Sequence, residues 1–128
     1  MGKSFRTLLL FAAAILMIFG AAANAFVMVP DLHGDLIEIG VRPTVLGGTV
    51  LGLYFAAMAM FGFAAMVLIA AIQSLRGIAP PRLSFVVVSI IYVVFGIIAF
   101  ARSHNPHHLG PLLMGALLGA ALAIPKAR

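Results

Sequence analysis

The chain has 128 residues, 64% of them hydrophobic and 9% charged, with no cysteine and a formal net charge of +5; its mean hydropathy is +1.22. Soluble domains carry about 45–50% apolar and about 25% charged residues, so the composition excludes a water-soluble fold and makes the bilayer the solvent. The lack of cysteine excludes disulfides, thiolate metal sites and thiol catalysis; the basic residues form no patch with interleaved aromatics, which excludes nucleic acid as a partner and leaves them as an orientation signal.

A helix that crosses about 30 Å of hydrocarbon needs about 20 apolar residues, because each backbone amide must be satisfied inside its own segment. In chain order, four stretches meet or approach that length: 8–29, 45–72, 83–101 and 106–124. The first follows Lys3 and Arg6 and ends in Ala23-Asn24-Ala25, the form of a signal-peptidase site. Its apolar run exceeds the roughly 7–15 residues of a signal peptide, so it is expected to remain as a helix, with cleavage the competing reading. The second, about 42 Å long as a helix, must tilt, kink or project into water. Between it and the third, Gly77 and the pair Pro80-Pro81 mark a tight turn. The fourth is short unless Asn105 caps it and Pro106 opens it, and a kink is then expected at Pro111. The expected fold is a single all-α membrane domain, an antiparallel four-helix transmembrane bundle. Lys3, Arg6, Arg76, Arg82, Lys126 and Arg128 fall on one side of it and Arg42 and Arg102 on the other. The positive-inside rule then places both termini in the cytoplasm.

All acids and histidines fall in the two outer segments: Asp31, His33, Asp35 and Glu38 in the first, His104, His107 and His108 beside Arg102 in the second. Short connections would bring both segments into one polar cap, the candidate ligand-binding site. Imidazole with carboxylate suits a divalent metal such as zinc, and positions 104, 107 and 108 share one face of a helical turn. Pro106 interrupts that set, however, and ordinary water-facing loop residues are the favoured account of it. A haem would have to be ligated from the rim by His33 and His107, so no metal or cofactor is assigned. The segment 31–39 is too apolar for a free loop and too charged to cross the membrane, and is expected to lie on the outer surface as a short amphipathic element.

No Asp, Glu, Lys or Arg falls inside a predicted hydrocarbon segment, which counts against ion-coupled transport and proton relays. The spans carry small residues instead. Gly48 and Gly52 form a GxxxG that continues to Ala56, and Gly115 and Gly119 form another, spacing that lets helix backbones approach closely in lipid. Met58, Met60, Phe61, Phe63 and Met66 could line a lipid or quinone cleft, although lipid-facing and gap-filling roles are commoner for such residues.

Arg42 with Gly47-Gly48 and Gly52-Leu53, Arg82, and Gly96 with Arg102 and Pro106 resemble the DoxX-like group of small four-helix bacterial membrane proteins, over most of 41–110. Where related sequences often carry an acid in the fourth helix, this chain has Leu112-Leu113-Met114-Gly115-Ala116. The resemblance implies a four-helix bundle in a bacterial inner membrane and transfers no catalytic residue. The expected function is a helix-packing accessory subunit of a larger membrane assembly, its partners membrane lipid and other subunits or copies of itself. The alternatives are a membrane-embedded enzyme or a lipophilic-ligand or metal-binding protein working at the outer cap, and a carrier for a neutral solute.

Overall fold

A computed structural model of the chain describes residues 2–104, 106 and 109–124. They are helical almost throughout: α1 (Gly2–Ala23), a π-helical turn (Asn24–Met28), α2 (Val29–Glu38), α3 (Pro43–Leu75), α4 (Arg82–Ser103) and α5 (Leu109–Ala123). Three helical rods are long and apolar enough to cross a membrane: Ser4–Glu38, Pro43–Leu75 and Arg82–Ser103. At 15 residues, α5 covers about 22 Å and is the shortest of the apolar helices; Asn105, the expected cap, lies outside the described residues.

The first span departs from expectation at its far end. It was to stop near residue 29, ahead of Pro30, with 31–39 lying apart on the surface. Instead the backbone stays in right-handed helical angles through Ala23, Met28 and Val29, and α2 continues the rod to Glu38. The π-turn explains how. Val29 donates its N–H to the Asn24 carbonyl, five residues back rather than four, and the widened turn leads into Pro30, which lacks an N–H and would crowd the carbonyl four residues before it in a regular helix.

The extra residue in that turn also sets which side of α2 faces its neighbour. On α1 the buried stripe runs Arg6, Leu10, Ala13, Met17 and Ala21. Extended at helical spacing, that stripe would next use positions 24, 28, 31, 35 and 38, and so press all three acids against α3. One inserted residue turns everything beyond it by about 100°. The covered residues of α2 are accordingly Val29, His33 and Leu36, and the acids point outward.

Two glycines close the tight ends. Gly40 and Gly77 adopt φ of 79° and 80°, and the bonds Val41 N–H to Leu36 O and Ile78 N–H to Gln73 O wrap each helix end in a Schellman turn. The connection expected to span 30–44 shrinks to residues 39–42. Pro111, where a kink was expected, falls in the first turn of α5, where no intrahelical partner for its N–H exists to be lost.

In space the helices follow the order α3, α1, α5, α4. Thr7 bonds Ser74 at 2.6 Å and Asn24 touches Met60, so α1 and α3 run in opposite directions. The α3 stripe against this rod is Leu46, Val50, Leu53, Ala57, Met60, Ala64, Val67, Ala71 and Ser74, alternating steps of four and three. Across the remaining gap Phe63 and Tyr92 meet edge to face, centroids 6.4 Å apart. The packed core holds Leu10, Met17, Val67, Phe85 and Leu118. Outside it, Leu83 is 81% and Phe55 75% exposed, an apolar exterior that fits lipid and not water.

Candidate functional site

The rods differ in length, and that sets what the acidic end can do. Met114 in α5 lies against Gly20 of α1, so Leu109 rises only about 8 Å beyond Gly20. Gly96 of α4 lies against Leu112, so Ser103 stands about 10 Å above that point, near the level where α2 begins. The packing partners of α2 are the π-turn and α3. It therefore stands, with the first turns of α3, as a helical hairpin projecting past α4 and α5.

Placed on this hairpin, Asp31, Asp35 and Glu38 occupy one exposed stripe at i, i+4 and i+7. His33, half-buried, faces α3 on the opposite side of the same helix. Arg102 is exposed in the last turn of α4. His104 ends that helix in the left-handed region at φ 51°, its N–H donated to the Phe100 carbonyl at 2.7 Å and its ring edge-on to Phe100. Among the described residues no three His, Asp or Glu side chains gather as a metal site. His107 and His108 lie outside the described residues. Among the described residues, this end presents an acidic stripe along one side of a projecting hairpin, with His33 on the other side of the same helix and His104 at the end of α4.

The two glycine pairs meet different surroundings. A Cβ at Gly115 would lie 2.8 Å from Ser89 O and 2.7 Å from Val93 Cγ2, one at Gly119 3.0 Å from Ser89 Oγ, and one at Gly96 2.6 Å from the Leu112 nitrogen. Missing side chains thus let α4 and α5 approach backbone to backbone, and the Ser89 hydroxyl donates across the contact to Gly115 O at 2.7 Å. At Gly48 and Gly52 a Cβ would meet nothing within 4 Å. That face of α3, flanked by exposed Val45, Leu51 and Phe55, is open.

One feature at the basic end escaped the sequence reading, which took Arg6 for a flanking charge. Arg6 is only 6% exposed, on the core stripe, and its Nε has no hydrogen-bond partner among the described residues. The signal lay in its spacing, four residues before Leu10 on the face that α1 buries. Comparison with family models, curated proteins and solved structures gives no match.

Proposed function

We propose that the chain is an antiparallel four-helix transmembrane bundle of a bacterial inner membrane, with both termini cytoplasmic, and a helix-packing accessory subunit of a larger membrane assembly. The observation that carries the reading is the contrast between the glycine faces. Gly115 and Gly119 are occupied inside the chain, whereas Gly48 and Gly52 lie on an open face of a spanning helix. In lipid, helices associate through close backbone approach at such faces rather than through a hydrophobic drive. A partner helix seated there would also cover Leu51 and Phe55, 72% and 75% exposed. The six-to-two division of basic residues supports the orientation, and the resemblance to the DoxX-like group supports the compartment.

Native mass spectrometry of the chain extracted gently from its own membrane tests this role. Wild type should carry further chains, its own copies or other subunits, and Gly48→Leu with Gly52→Leu should release them. Gly62→Leu, also in open space on α3, should not. A wild-type chain that emerges alone, or an assembly indifferent to the double substitution, contradicts the accessory role.

A further inference from the structure

At the basic end, a groove of about 190 Å³ opens on the outside of the bundle between α4 and α5. Arg82, Val86 and Ile90, one helical turn apart in succession, form its α4 side, and Ala123 borders it on α5. Its floor carries little side-chain bulk: Gly119 has no side chain, and Ser89 is small, with its hydroxyl bonded to Gly115 O. Its walls are apolar and belong to a membrane-spanning helix, while its mouth carries the arginine that opens that helix.

We propose that this groove binds one anionic phospholipid, its phosphate on Arg82 and an acyl chain along Val86 and Ile90 over Gly119. Three observations select that occupant. Arg82 to Ile90 covers about 12 Å of helix, close to the depth of one leaflet's hydrocarbon, about 15 Å, so a headgroup at Arg82 leaves the chain beside it in the groove. The charge is complementary: Arg76 and Arg82 flank this end, and the three acids of the chain all lie on α2 at the other. The α4 N-terminus, behind Pro81, has no side-chain cap, so its first N–H groups stand beside the arginine as further donors to a phosphate. Basic pockets between spanning helices recognise anionic headgroups through this combination of charge and apolar lining. The site depends neither on the accessory role nor on which leaflet Arg82 occupies.

Native mass spectrometry of the delipidated full chain, titrated with phosphatidylglycerol or phosphatidylcholine of the same acyl composition, tests the site. Wild type should take up one phosphatidylglycerol about fivefold more tightly than phosphatidylcholine, the preference that one basic side chain confers at an anionic headgroup. Arg82→Gln should erase that preference while leaving the binding of phosphatidylcholine in place. Ala123→Phe, at an exposed rim position, should weaken both lipids by filling the groove, with Ile90→Phe as the second filling variant from the other rim. Arg102→Gln, at the opposite end, should bind as wild type does. Equal affinity for the two lipids in wild type, a preference that survives Arg82→Gln in a chain of unchanged helicity, or undiminished binding by both filling variants overturns the proposal.

Discussion

Three glycines and one hydroxyl hold α4 to α5. The Cβ positions of Gly96 and Gly115 would fall within 2.6–2.9 Å of backbone atoms on the facing helix, which a flexible side chain cannot relieve. Gly115→Ala should therefore lower stability by about 1–3 kcal/mol, the usual cost of overpacking, read as an earlier midpoint of thermal unfolding in detergent. Gly52→Ala, with nothing within 4 Å, should leave that midpoint unchanged or raise it, because alanine is the better helix former by about 1 kcal/mol. Equal losses at the two sites would contradict the division of the glycine faces. The spacing of both pairs was visible in the sequence, but their difference was not: it depends on which helix each pair meets, and GxxxG reads the same whether its groove is filled or open.

The element that organises the acidic end is the five-residue π-turn. Its spare residue re-phases the rod so that Val29 and Leu36 meet α3 and Asp31, Asp35 and Glu38 do not. Deleting Ala25 while replacing Pro30 by Ala should yield an uninterrupted α-helix with the same faces, and so retain helicity and unfolding midpoint. Deleting Ala14, inside the regular stripe of α1, should displace Met17 and Ala21 from the core and lower the midpoint sharply. If the Ala25 deletion proves as damaging as the Ala14 deletion, the turn is not a spare residue. From sequence, the apolar run stops at Val29 and the mixed segment 31–39 reads as a separate amphipathic element on the membrane surface, so the rod is expected to end there. The π-turn that carries a helix past a proline leaves no signature in apolar periodicity. The acidic stripe, by contrast, was legible once 31–38 is taken as helix, since 31, 35 and 38 fall on one side by spacing alone.

At the scale of the molecule, α3, α4 and α5 begin and end within three residues of the apolar runs that mark them, whereas the first rod runs nine residues past its own. In lipid a span must be long, apolar and internally bonded, but nothing stops a helix from continuing beyond it. Hydropathy could not show that two rods outgrow the other two. Ser4–Glu38 and Pro43–Leu75 hold 35 and 33 residues, about 50 Å each, while α4 holds 22 and α5 15. The excess stands as a hairpin at the acidic end, with Asp31, Asp35 and Glu38 along one exposed side of it. The central claim, four crossings with both termini in the cytoplasm, rests most heavily on the short α5, and reporter fusions test it directly. Phosphatase and fluorescent-protein reporters placed after Val41, after Gln73 and after Arg128 should report periplasm, cytoplasm and cytoplasm in turn. A periplasmic signal at Arg128 beside a cytoplasmic one at Gln73 would mean that α5 does not cross, and would contradict the four-span account.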